Sequence, residues 1–134
     1  MAPHVVITEQ RFRDVVVLSL KGQLIADEQD VHFRNSIDAL VREGITKIVV
    51  DLHDVTLLDS GGVGVLVEKF LTLRKRGGDL RLARLTERTR HVLAITRLLW
   101  VFATFDSPAD AVHSFAADAP HQAFLGPPGS TEVT

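Results

Sequence analysis

The stretch "LLDSGGVGVLVEKF", residues 57 to 70, sets Ser60 between Asp59 and the pair Gly61 and Gly62. An apolar run precedes it and an amphipathic run follows. A serine in such a turn has four possible chemistries: phosphate cradle, nucleophile, helix cap or modification target. A dinucleotide cradle needs G-x-G-x-x-G. From Gly62 the chain supplies Gly62 and Gly64 and then Val67, so the third glycine is missing, and no Gly-Lys-Ser/Thr of a P-loop follows. A bare helix N-terminus still attracts anions, which keeps a small-ligand or nucleotide sensor as an alternative. A nucleophile elbow needs G-x-S-x-G, and position 58 is Leu58. Its general base would be a histidine. His4, His32, His53, His91, His113 and His121 are scattered, and their spacing suggests neither a triad nor a metal site. The residues therefore argue against an enzyme, and no cofactor is expected.

The cap reading assigns the Ser60 oxygen to a first-turn N–H, worth roughly 1 kcal/mol. A cap alone does not call for Asp59 before it or two glycines after it, and glycine costs up to about 1 kcal/mol in a helix. The glycines read as a bare backbone that lets something large approach the hydroxyl. The modification reading makes Ser60 a kinase target, where phosphate adds about −1.5 to −2 of charge.

Those residues need elements to hold them. "PHVVIT" and "DVVVLSLKG" read as a hairpin, with Gly22 ending its second strand. Phe33, Ile37, Leu40 and Val41 recur at helical spacing between Asp27 and Glu43. "ITKIVVDL", residues 45–52, is an unbroken apolar run that suits a strand buried on both faces. His53 and Asp54 fall in the expected loop between that strand and the turn. The helix after Ser60 places Val63, Leu66, Val67, Phe70, Leu71 and Leu73 along one side, with Lys69 elsewhere. It ends in Arg74, Lys75 and Arg76, a solvated end matching the helix dipole, and then Gly77 and Gly78. "DLRLARL" alternates as a strand and "TERTRHVLAITRLL" is helical. "VFATF" is a short strand, with Trp100, Phe102 and Phe105 expected in packing. Ser107, Pro108 and Asp110 mark a last helix start.

The order β-β-α-β-α-β-α-β-α predicts an α/β fold: a mostly parallel sheet, an antiparallel N-terminal edge hairpin and about four helices. One domain is expected over residues 1–117 and a disordered tail over 118–134. The 134 residues carry 15 Lys plus Arg against 17 Asp plus Glu, net −2, so no overall basic field exists for nucleic acid. There is no cysteine, which excludes disulfides and thiolate chemistry. The opening "MAPHVVITEQ" lacks a basic flank before an apolar core, and no apolar run approaches a membrane span. A cytoplasmic location without membrane insertion is expected.

"IVVDLHDVTLLDSGGVGVLV", "GGDLRLARL" and "VLAITRLLWVFATFDSPADAV" together resemble the STAS domain of bacterial anti-sigma factor antagonists, from about Val5 to Phe115. The resemblance implies a STAS fold and a binding switch in sigma-factor-dependent transcription. In that family the unphosphorylated protein binds an anti-sigma factor, itself a serine kinase, and so frees the sigma factor. The kinase phosphorylates the turn serine, the complex parts, and a phosphatase resets it. Ser60 matches the phosphorylated position and Asp59 the acidic residue before it. Gly61, Gly62 and Val63 continue the motif. Many members carry a second hydroxyl where this chain has Gly61. Where members often read Gly-Glu-Leu-Asp after the second strand, this chain reads "GQLI", with Gln23 and Ile25 replacing both carboxylates of a kinase-contacting loop. His53 and Asp54 fall near the implied footprint. A STAS scaffold or transporter-associated regulatory subunit stands as the alternative within the fold.

Overall fold

Consecutive β-branched residues, Val5 to Thr8 and Val15 to Val17, start the first pair of strands, β1 (Val5–Phe12) and β2 (Val15–Leu24), in the computed structural model, which describes residues 4–25 and 31–118. The two are antiparallel, with Val5 opposite Gly22 and Phe12 opposite Val15. Then follow α1 (His32–Arg42), β3 (Lys47–Leu58), α2 (Ser60–Lys75), β4 (Asp79–Ala83), α3 (Glu87–Ile95), a 3-10 turn (Leu99–Val101), β5 (Thr104–Phe105) and α4 (Pro108–Asp118). The strands lie in the order β1-β2-β3-β4-β5, and every pair after the hairpin is parallel. This is the predicted α/β architecture, its four helices included. The start expected for the first helix at Asp27 and the tail from residue 119 lie outside the described residues.

Right-handed crossovers that always step the same way along a sheet put their helices on one face. Accordingly α1, α2 and α3 share a core with the inward residues of the strands: Phe33, Ile37, Leu66, Leu73 and Leu93 pack with Leu18, Ile48, Val50 and Leu82. α4 covers the other face through Ala111 and Phe115, against Val15, Val17, Val49 and Ala83. Ser107 caps it, accepting from the Asp110 N–H at 3.0 Å.

Several elements depart from the sequence expectation. Gly22 does not end β2. It sits at φ +114 where a Cβ would strike the His4 carbonyl, and the register against β3 shifts beside it. Glycine here permits a bulge, and the strand runs on to Leu24. β3 continues six residues beyond residue 52, because β2 still pairs with it up to Leu24↔Leu58. In β4 the alternation does not mean a wet face, since all five residues are buried. Arg81 donates to Asp79 at 2.9 Å and to Ser114 at 2.7 Å, and its guanidinium lies 4.0 Å over the Phe115 ring. Lys69 is buried and reaches Asp38 on α1 at 2.8 Å, whereas Leu71 is exposed. The strand expected over residues 101–105 shrinks to two residues. Phe102 is buried and edge-on to Phe70, but Trp100 is 89% exposed and not part of the packing.

Candidate functional site

The turn between β3 and α2 is built by Asp59. Its backbone is extended, at φ −101 and ψ 176, and its carboxylate accepts the Gly62 N–H at 2.7 Å. Asp59 is therefore the helix cap, and the cap reading of Ser60 is corrected. Aspartate and serine cap equally well, so the register of the turn decided which one does. Ser60 becomes the first helical residue. It is exposed, and its hydroxyl has no hydrogen-bond partner among the described residues.

The glycines divide into two kinds. A Cβ on Gly62 would fall on the Leu24 carbonyl oxygen and lie 3.1 Å from Leu58 Cδ1. That residue is glycine so that α2 can lean on the end of β2, which corrects the bare-backbone reading for this position. Gly64 has nothing within 4 Å of such a Cβ. Val63 is buried in the core and its N–H bonds the Asp59 carbonyl at 3.0 Å. The Asp59 N–H points at Leu24 O, 3.4 Å away. The turn is thus fastened to the Leu24 carbonyl of β2 by the close approach of Gly62 and by the Asp59 N–H, with the hydroxyl left outside. The first N–H groups of a helix have no intrahelical acceptor. Asp59 takes those of Gly62 and Val63, which leaves Ser60 and Gly61 at the positive end of a 16-residue helix.

Pairing in register brings the end of β2 to this turn: Gln23 lies opposite Leu57 and Leu24 opposite Leu58. Gln23 is exposed and belongs to the strand, its N–H bonded to His4 O at 2.9 Å. Ile25 follows the strand, half-buried. His53 and Asp54 are exposed but belong to β3, not to a loop. At about 3.3 Å per residue they lie roughly 13 Å or more down the strand from Leu58. The structure collects Asp59, Ser60, Gly61, Gly62, Val63, Gln23 and Ile25 at one end of the sheet and leaves His53 and Asp54 on its flank.

Two side-chain contacts that brace β3 were not singled out in the sequence. β4 pairs with β3 only from Lys47 to Asp51, so the far half of β3 has one open edge. Arg88 of α3 donates to the Thr56 carbonyl on β3 at 2.8 Å. Asp51, 3% exposed, receives both Arg84 Nη2 at 2.6 Å and Nε at 3.1 Å, and the His53 N–H at 3.1 Å. The Asp51 hydrogen bond holds the Arg84 guanidinium above its ordinary pKa. The signal for this pair was a carboxylate inside the apolar run "IVVDL". Among the described residues no group of three His, Cys, Asp or Glu could hold a metal.

A sheet of this order, with one serine hydroxyl exposed where a central strand turns into a helix, defines a class of α/β domain, and comparison identifies it. The STAS domain family model matches residues 7–111, and the chain belongs to that family. It is 37% identical over 78 residues to the anti-sigma-B factor antagonist of Bacillus subtilis, covering 55% of this chain and 71% of that protein. It is 22% identical over 103 residues to the anti-sigma F factor antagonist of Paenibacillus polymyxa, covering 77% and 88%. The crystal structure of an anti-sigma factor antagonist from Mycobacterium paratuberculosis shares the fold, with a TM-score of 0.71, 24% identity and coverage of 84% of this chain and 96% of that one. Among the described residues no helix is long and apolar enough to cross a membrane.

Proposed function

We propose that this STAS protein is an anti-sigma factor antagonist, a non-enzymatic cytoplasmic switch. It binds an anti-sigma factor serine kinase when unphosphorylated and is released when Ser60 carries phosphate; a phosphatase restores the binding form. The observation that carries this reading is the division of labour in the turn: Asp59 does the capping, and Ser60 is exposed with an unengaged hydroxyl. The curated relatives named as antagonists support the role. A kinase can reach this hydroxyl without unfolding anything. The dianion would sit at a helix N-terminus, which favours negative charge, so the fold keeps its shape and the cost falls on the docked partner. Like charges across an interface cost several kcal/mol, and about 1.4 kcal/mol is tenfold in affinity. One phosphate is enough to end a micromolar complex. The exposed residues beside Ser60, with Gln23 and Ile25 at the end of β2, form the partner surface.

Intact-mass spectrometry tests this. Wild type and Ser60→Ala are incubated with ATP and phosphatase-inhibited lysate of the source organism and repurified. One added phosphate on wild type alone is expected. An unmodified wild type would reduce the protein to a constitutive STAS scaffold.

A further inference from the structure

The largest exposed apolar side chain lies at the opposite end of the molecule from Ser60. β3 rises from Lys47, beside Asp79, to the Ser60 turn, and α2 returns over 16 residues to start β4 at Asp79. The last turn of α2 is therefore about 24 Å from Ser60. The segment after α3 packs there: Phe102 meets Phe70 at 5.3 Å between ring centroids, and Arg74 lies 5.9 Å over Phe70. From this place Trp100, 89% exposed, projects into solvent with Val101 at 37%, and Ile95 at the end of α3 is 65% exposed. Lys75 and Arg76 end α2 and Arg97 follows α3, so the topology directs them to the same end of the sheet; all three are exposed and none pairs with a carboxylate among the described residues. Some cations elsewhere are matched, Arg11 with Glu43, Arg34 with Glu68 and Lys47 with Asp14, while Arg13, Lys21, Arg42 and Arg90 are exposed without a carboxylate partner among the described residues. From Arg74 to Arg97 the chain holds eight Lys or Arg and two acidic residues, of which Arg81 and Arg84 are committed to Asp79 and Asp51 and Arg88 to the Thr56 carbonyl.

We propose that this end of the molecule is a peripheral docking surface for an anionic lipid bilayer. Trp is the side chain that settles at membrane interfaces. Aliphatic neighbours enter the acyl boundary, and unpaired Lys and Arg meet the negative headgroups. Charge complementarity selects the anionic surface. The three apolar side chains expose on the order of a few hundred Å², below the roughly 800 Å² per partner of a stable protein interface, which disfavours a second copy. Docking here leaves the Ser60 turn facing away from the membrane and free to bind its partner.

Trp100 is the only tryptophan of the chain, so tryptophan emission reports on this surface directly. The full-length protein is titrated with phosphatidylcholine vesicles and with vesicles of equal phosphatidylcholine and phosphatidylglycerol. A blue shift and co-sedimentation with the anionic vesicles alone, reversed by high salt, are expected. The triple variant Lys75→Gln, Arg76→Gln, Arg97→Gln weakens partitioning about a hundredfold, at about fivefold per cation. Trp100→Ala lowers co-sedimentation, and Ser60→Ala behaves as wild type; these exposed positions leave the far-ultraviolet circular dichroism unchanged. No shift on anionic vesicles overturns the proposal. So does a shift that grows with protein concentration alone, marking a second copy. A shift with polyglutamate or an oligothymidylate but not with vesicles overturns it too.

Discussion

Gly62 and Gly64 stand two residues apart in the same helix, and replacing each with alanine should move stability in opposite directions. At Gly64 the new methyl meets nothing within 4 Å. The change gains helix propensity and lowers the entropy of the unfolded chain, about 0.5 to 1 kcal/mol of stabilisation. At Gly62 the methyl is driven into the Leu24 carbonyl, with Leu58 Cδ1 at 3.1 Å. That carbonyl cannot step aside, because Leu24 is paired with Leu58 in the sheet and faces the Asp59 N–H. Overpacking of this kind costs about 1 to 3 kcal/mol, and the propensity gain offsets at most about 1. Because the propensity gain is common to both, Gly62→Ala should lie about 1 to 3 kcal/mol below Gly64→Ala, or about 4 to 12 °C in Tm at about 4 °C per kcal/mol for this chain length. Urea unfolding of wild type and both variants, with m held common, reads the difference. Because the clash pries α2 from β2, Gly62→Ala should also weaken partner binding while Gly64→Ala leaves it intact. A Gly62→Ala protein as stable as Gly64→Ala would refute the account of how the turn is fastened.

The division between cap and target predicts that Asp59→Ala loses about 1 kcal/mol while Asp59→Asn keeps it. Ser60→Ala should stay within about 0.5 kcal/mol of wild type; a loss as large as that of Asp59→Ala in urea unfolding would return the capping role to the serine. Arg84→Ala leaves the buried Asp51 without its cation and should cost about 2 to 3 kcal/mol, with Arg84→Lys recovering part. The Asp51→Asn, Arg84→Ala double variant should cost less than the sum of its parts by chemical denaturation. The hydrogen bond from Lys47 holds the Asp14 carboxyl below its usual range, and the Arg11 fork does the same to Glu43. Folded values below the unfolded ones give stability that is present above the ordinary carboxylate range and lost as pH falls through the lowered values, below about pH 4. Both carboxylates are exposed, so the loss should be shallow and should shrink in 1 M salt. Urea midpoints that rise between pH 5 and pH 3 would contradict it.

Hydrophobic periodicity and glycine punctuation were enough to read the order of elements, since strands and helices each bury a face at their own period. "IVVDL" announced a strand buried on both sides, and the structure covers β3 with helices on both faces. The turn at Ser60 was legible because Asp, Ser and Gly in that order stop a strand and start a helix. What periodicity misjudged were the places where two distant segments meet. "DLRLARL" looks half-wet until α4 arrives with Ser114 and Phe115 over Arg81. Lys69 looks like surface until Asp38 receives it, and Trp100 looks like core until the 3-10 turn points it outward.

By itself the sequence determined the α/β class, the number and order of the helices, and a single serine poised at the start of one of them. These follow from local rules: periods of 2 and 3.6, and turn residues with few allowed conformations. Only the tertiary structure decided that Asp59 caps and Ser60 does not, that Gly62 is required where Gly64 is optional, and that Trp100 stands in solvent. Each of these depends on which backbone atom of a distant strand stands opposite, and the spacing of residues along a chain carries no such distance.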